Sequence, residues 1–239
     1  MGKQTAATSV EGRIVVLGTG GTIAGRAARP DDNIGYSAAE VGVEELLTGA
    51  EPSPGITLLT EQVAQVDSKD MAFAIWLALA QRCAHWLAQP DVRGIVVTHG
   101  TDTLEETAFF LQRILDPTKP IVLTCAMRPS TSLTPDGPQN LRDAIVVAGA
   151  TSARGVVAVC AGVIHSAFDV QKVHTYRLDA FSSGEAGPVG YVEEGEARMV
   201  RAWPTAPAAA ALDACTGAAP RVEILTSHAG ATGLVVDAL

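Results

Sequence analysis

Four short runs of mostly β-branched, apolar residues recur along the chain, at 14–17, 94–98, 121–124 and 155–159, with longer stretches of helical period between them. A strand with no polar side must be covered on both faces, so these runs read as buried parallel strands. The intervening stretches predict helices over about 70–88, 103–115 and 138–148, the last with Pro138 in its first turn, where a missing N–H costs nothing. Strand, helix, strand in succession specifies an α/β, doubly wound parallel sheet. Ligands of such sheets bind beyond the C-terminal ends of the strands. Three of those ends run into polar loops: Gly18-Thr19-Gly20-Gly21-Thr22, His99-Gly100-Thr101-Asp102 and Cys125-Ala126-Met127-Arg128-Pro129-Ser130. The three loops are expected to converge on one cleft.

Several function classes are excluded by composition and spacing. Of 239 residues, 17 are Lys or Arg and 26 are Asp or Glu, a formal charge of −9 that supplies no phosphate-neutralising surface, so no nucleic-acid partner is expected. At 47% hydrophobic and 18% charged, the chain is too apolar for disorder. Cys83, Cys125, Cys160 and Cys215 are widely separated and the five histidines share no ligand spacing, which argues against a disulfide framework and against a metal. A dinucleotide fingerprint would need Gly where Ile23 stands, and a phosphate loop would need Lys followed by Ser or Thr where Arg26-Ala27 stand; no cofactor is expected. The first 13 residues lack the apolar centre of a signal peptide, and no apolar run reaches the ~18 residues of a membrane helix. A cytoplasmic chain without a membrane partner is predicted, although a mature secreted form would share these features.

Residues 1–202 read as one domain closing in a hairpin, with strands near 190–192 and 197–200 around Glu193-Glu194-Gly195-Glu196. Residues 203–220, rich in Ala and Pro, read as a linker. A new strand is expected at 222–225 and a helix at 232–239, the beginning of a second small α/β domain inside which the sequence is expected to end.

Each polar cluster has a local structural reading beside a functional one. The glycines before Thr22 suit a tight turn, and also the presentation of a hydroxyl nucleophile. Asp102 with Glu105, or Thr103 with Glu106, would make a capping box, yet Thr101 and the His99-Gly100 approach are not needed for capping and suit a polar ligand. Ser68 could cap a helix or receive a carboxylate at its N-terminus. Lys172, taken alone, reads as a solvated lysine.

Together, Val16-Leu17-Gly18-Thr19-Gly20-Gly21-Thr22-Ile23-Ala24-Gly25, Val97-Thr98-His99-Gly100-Thr101-Asp102-Thr103-Leu104-Glu105-Glu106-Thr107 and Ala126-Met127-Arg128-Pro129 resemble the bacterial-type L-asparaginases. Asp67-Ser68-Lys69-Asp70-Met71 and Asp136-Gly137-Pro138-Gln139-Asn140-Leu141 extend the resemblance to roughly residues 13–230. It implies a flavodoxin-like catalytic domain that hydrolyses L-asparagine, and L-glutamine weakly, to the acid and ammonia without metal or cofactor. By the same resemblance Thr22 is the nucleophile and Tyr36 its partner on a lid spanning about 25–41. Thr101, Asp102 and Lys172 form a second catalytic triad, in which Lys172 is either a base or an orienting charge. Ser68, Lys69, Gly100, Thr101 and Asp102 line the substrate site, with Lys69 standing where many members carry Gln. A homo-oligomer, dimer or tetramer, is implied, with further active-site residues supplied by a second domain across a subunit interface. The rival readings are a non-catalytic amino-acid binder or inactive fragment of the same fold, and an amidotransferase-associated subunit.

Overall fold

Eight strands form a mixed sheet in the computed structural model, which describes residues 12–50, 52–205, 212–215 and 220–239. The first half of the chain contributes β1 (Gly12–Gly20), α1 (Val43–Leu46), β2 (Ile56–Val66), α2 (Phe73–Leu87), β3 (Val92–Thr98), α3 (Leu104–Leu115) and β4 (Ile121–Thr124). There follow α4 (Gly137–Gly149), β5 (Val156–Cys160), β6 (Val163–Ser166), β7 (Gln171–Lys172), β8 (Phe181–Ser182), β9 (Gly190–Glu193), β10 (Glu196–Met199) and α5 (Leu234–Asp237). The sheet order is β10-β9-β6-β5-β4-β3-β1-β2, and β7 pairs with β8 in a separate two-stranded ribbon.

Strands β2, β1, β3, β4 and β5 run parallel, in the 2-1-3-4-5 order whose direction reverses between β1 and β3. The loops after those two strands therefore diverge to opposite faces and leave a crevice between them. Alternate strand residues serve the two faces. Val15, Leu17, Ile95, Val97 and Leu123 pack beneath α2 and α3, whereas Ile14, Val16, Val96, Val122 and Val157 pack beneath α4. Each such side chain taken fully from water contributes about 1.5–3 kcal/mol, which holds the strand ends as a rigid platform.

The four apolar runs are strands and the three helices expected between them are present, with differences of substance elsewhere. The sheet is mostly parallel, as expected, and gains an antiparallel extension at one edge. Ala161 and Gly162 adopt positive φ (50° and 76°) and turn β5 tightly into β6, after which β6, β9 and β10 pair antiparallel. Helix α2 starts at Phe73 rather than near residue 70, because Ser68–Asp70 form a separate 3-10 turn capped by Asp67, and Met71 and Ala72 are extended. No strand forms at 222–225: Val222 and Ile224 are 78% and 91% exposed and pair with nothing among the described residues, and a lone strand has no stability of its own. The helix expected at 232–239 is the single turn α5. Most of the expected linker lies outside the described residues. The expected hairpin is β9–β10, turning at Glu194 and Gly195, whose positive φ values of 51° and 77° match the hand of a two-residue hairpin. No helix of the described residues is long and apolar enough to cross a membrane.

Candidate active site

The crevice between β1 and β3 is closed by backbone contact. Gly20, the last residue of β1, and Gly21 after it have φ of 104° and 81°, and a Cβ on Gly21 would collide with Gly100 N and Cα and stand 2.8 Å from the His99 carbonyl carbon. Glycine is required there for two reasons, the left-handed backbone and the close approach of the second loop. The turn delivers Thr22, only 6% exposed, as the first residue of a 3-10 turn. Its Oγ1 lies 2.6 Å from Tyr36 Oη, a short hydroxyl–phenol hydrogen bond across fourteen residues. Tyr36 is carried by the segment 25–41, whose Arg26 and Ser37 pair as an antiparallel bridge.

A second hydroxyl, that of Thr101, follows β3. Lys172 Nζ donates to Thr101 Oγ1 at 2.7 Å and to Asp102 Oδ1 at 2.6 Å. The lysine side chain is 17% exposed and Asp102 is 52% exposed, so the cation is sheltered while the carboxylate still faces solvent. Lys172 lies on β7, and its backbone N–H donates to Glu105 Oε2 at 2.5 Å. That bond replaces the expected capping box: Thr103 at the start of α3 makes no side-chain cap, its hydroxyl donating instead to the Ser68 carbonyl at 2.9 Å. Glu105 is thus a site-supporting residue that its capping spacing concealed.

Ser68 is 2% exposed and its Oγ accepts the Asp102 N–H at 3.1 Å, so the turn after β2 is tied directly to the Asp102 loop. A Cβ on Gly100 would strike Ser68 Oγ. Lys69 stands apart from the other predicted residues. Its Nζ binds Asp67 Oδ2 at 2.8 Å and Asp70 Oδ2 at 3.0 Å, with the lysine side chain 62% exposed. Burial alone would raise the Asp67 carboxyl, but hydrogen bonds from the Lys69 side chain and backbone N–H hold it below its ordinary value.

A buried polar chain beneath the second loop was not foreseen. His99 is fully buried, and burial pushes its pKa down to about 4, so its ring is neutral near pH 7. Its Nδ1 lies 2.7 Å from the Gly100 carbonyl, which can only accept, so the ring proton sits there. Nε2 must then accept from the Thr107 hydroxyl at 2.9 Å, and Thr107 in turn accepts from Trp76 Nε1 at 2.8 Å. Every donor in this chain has one acceptor, and the arrangement pins the Gly100 carbonyl beside Thr101. The sequence signal was a histidine at the end of an otherwise apolar strand.

The open α/β sheet thus presents two buried threonine hydroxyls at its switch point, one bonded to a phenol and the other to a lysine–carboxylate pair. A family model described as "Asparaginase, N-terminal" matches residues 13–205, and the chain belongs to the asparaginase family. It is 42% identical over 191 residues to the glutaminase-asparaginase of Pseudomonas fluorescens biotype A, covering 79% of this chain and 52% of that protein. It is 45% identical over 184 residues to L-asparaginase 2 of Bacillus subtilis (strain 168), covering 76% of this chain and 49% of that one. Among solved structures, a probable cytoplasmic L-asparaginase from Campylobacter jejuni superposes with a TM-score of 0.77 at 39% identity, covering 82% of this chain and 61% of the other. The chain spans about half the length of the curated relatives it matches.

Proposed function

We propose that this chain carries the catalytic site of an L-asparaginase, which hydrolyses L-asparagine to L-aspartate and ammonia through an ester on Thr22, with L-glutamine a weaker substrate. The observation that carries the reading is the pairing of two buried hydroxyls with different partners, Thr22 with Tyr36 and Thr101 with Lys172 and Asp102, on loops held in backbone contact. Thr22 Oγ1 attacks the side-chain amide carbon as its proton passes to Tyr36 Oη and the phenol's own proton goes on to the amide nitrogen; the C–N bond then breaks and the protonated nitrogen leaves as ammonia. Water next attacks the ester carbon, the C–Oγ1 bond breaks, and Thr22 recovers its proton. The Lys172 ammonium donates to Thr101 Oγ1, so the Thr101 proton points away from it; that proton goes to Asp102 Oδ1 at a long 3.5 Å, and it can swing from there to an oxyanion forming on the substrate. This favours Lys172 as an orienting charge over Lys172 as a base.

Ser68 and Gly100 receive the substrate α-carboxylate, and the exposed carboxylate of Asp102 receives the α-ammonium. Lys69, committed to Asp67 and Asp70, stands beside that ammonium subsite as part of a cluster of net charge −1. The chemistry calls for no metal or cofactor. The names of the relatives support the substrate, and that of the Campylobacter protein supports a cytoplasmic location. We assign 1–202 to the catalytic domain, 203–220 to a linker and 221–239 to the start of a second domain, and we propose a homo-oligomer.

Ammonia release from L-asparagine by the purified chain tests the reading. Turnover above the spontaneous rate is expected, whereas saturable L-aspartate binding with no ammonia would establish the non-catalytic binder instead. A finer test concerns Glu105. Glu105→Ala deletes the acceptor for the Lys172 N–H and is expected to lower kcat about 10- to 100-fold, the range for a hydrogen bond to a charged group. Glu105→Gln keeps an acceptor oxygen and is expected to restore most of it. Equal kcat in the alanine variant and the parent would show that this bond does not position Lys172.

A further inference from the structure

The loop after β4 belongs to the motif that carried the family resemblance, yet none of its residues has a part in the chemistry proposed above. Its contacts suggest a role. Ser130 donates to the Gly25 carbonyl through both its N–H (2.9 Å) and its hydroxyl (2.7 Å). Thr131 Oγ1 accepts the Ala27 N–H at 2.8 Å and donates to the Ala27 carbonyl at 3.4 Å, satisfying both polar groups of one backbone residue. Ser132 Oγ donates to Asn33 Oδ1 at 2.8 Å, and Leu133 N–H donates to the Pro30 carbonyl at 3.0 Å. All six bonds end on the segment that carries Tyr36.

The two sides of this contact differ in how they are held. On one side, Asp136 accepts the N–H groups of Met127 and Arg128 at 2.9 and 3.0 Å, and Arg128 Nη1 donates back to the Thr134 carbonyl at 3.0 Å, so the loop is stapled to the start of α4. On the other side, the 25–41 segment is anchored at its base, where Ala39 N–H reaches the Gly21 carbonyl and Glu40 and Val41 reach that of Ala24. Residues 27–35 have no strand or helix of their own to hold them in place. A short mechanical path leads from Thr131 to Ala27, then to Arg26, which pairs with Ser37, then to Tyr36 and Thr22 Oγ1.

We propose that residues 129–134 are the latch that keeps the Tyr36 segment closed over Thr22, with Thr131 the positioning residue that sets how much of the protein is closed. The effect on turnover rests on the asparaginase reading; the latch itself does not. A protease measurement separates the two. Trypsin can cut after Arg26, beside the latched Ala27, but not after Arg29, which precedes Pro30. Opening the latch therefore exposes one identifiable bond, whose cleavage is read from the masses of fragments 1–26 and 27–239.

Thr131→Val keeps the shape and removes both bonds to Ala27. It is expected to speed cleavage at Arg26 about tenfold or more while leaving the other tryptic sites unchanged, with Thr131→Ser returning the rate to that of the parent. Ser132→Ala, which keeps the Ala27 contacts, should produce a smaller increase. In the activity arm, Thr131→Val is expected to lower kcat about tenfold in the parent and to have little further effect in a Tyr36→Phe background, because Thr131 acts through Tyr36. An unchanged Arg26 cleavage rate in a folded Thr131→Val protein overturns the latch whatever the activity shows. Faster cleavage in a chain that releases no ammonia upholds the latch and removes only its link to turnover.

Discussion

A Thr22→Val protein is expected to fold normally and to release ammonia from L-asparagine at least ~10⁴-fold more slowly than the parent, approaching the millionfold loss seen when a comparable acyl-transfer enzyme is stripped of its nucleophile. Valine replaces the hydroxyl with a methyl of nearly the same size at a site 6% exposed, so packing against Ile23 and the β1 turn is retained. The structural cost is one hydrogen bond, that to Tyr36 Oη, worth about 1 kcal/mol. Stability should therefore fall slightly while activity falls almost completely. Trapping makes the intermediate visible: hydroxylamine added during turnover should divert the Thr22 ester to the hydroxamate of aspartate in the parent, and yield none in the variant. If Thr22→Val retained turnover within tenfold of the parent, water would have to be attacking the amide directly and the ester mechanism would be wrong. Loss of activity together with unfolding would be distinguished by circular dichroism and by tryptic cleavage at Arg26, which reads the closed segment without reference to chemistry.

The framework of this site was legible because it lies at strand ends, and strand ends are where uniformly apolar runs stop. Ile14 to Leu17 and Ile95 to Val97 are buried on both faces, and the glycines and hydroxyls that follow them mark the switch point directly. What local pattern could not supply were the partners brought in from afar. Lys172 is about 70 residues from Asp102 and nothing in Gln171-Lys172-Val173 distinguishes it from a surface lysine; only the family resemblance drew it in, and the β7–β8 ribbon carries it to Thr101. Glu105 was hidden by a competing local rule, since its spacing from Asp102 fits a capping box. In the structure its carboxylate reaches the Lys172 backbone instead. Strand β2 escaped notice because it lies at the edge of the sheet, where Thr57, Gln62 and Gln65 face solvent and break the apolar run. The residues at 222–225 show the converse. Their alternation has the period of a strand, but period alone gives a strand nothing to pair with.

Acidification from pH 7.5 to 5 is expected to cost the fold about 4 kcal/mol through His99 and His165, about 2 kcal/mol from each. Both rings are buried, and burial pushes each pKa down to about 4, assisted at His165 by the nearby Arg201 charge. None of the partners of either ring carries a charge that would stabilise a second proton: His99 spans the Gly100 carbonyl and the Thr107 hydroxyl, and His165 Nδ1 lies 2.8 Å from Ser183 Oγ. In the unfolded chain both titrate near 6.5. Between 6.5 and 4 the unfolded state therefore binds more protons than the native one, and stability falls as pH falls; above 6.5 the contribution is fully present. Glu61, held low chiefly by its hydrogen bond from Arg82, begins to add its own loss only near the ordinary carboxylate range. Asp143 acts in the opposite sense, because burial raises it and the native state binds its proton first. Urea unfolding at pH 7.5, 6.5, 5.5 and 5.0 measures the slope, and His165→Asn, which can still hydrogen-bond Ser183, should remove about half of it. A flat profile from 7.5 to 5 would mean that the two rings are already charged or solvated in the fold, and the neutral His99 that pins the Gly100 carbonyl beside Thr101 would have to be given up with it.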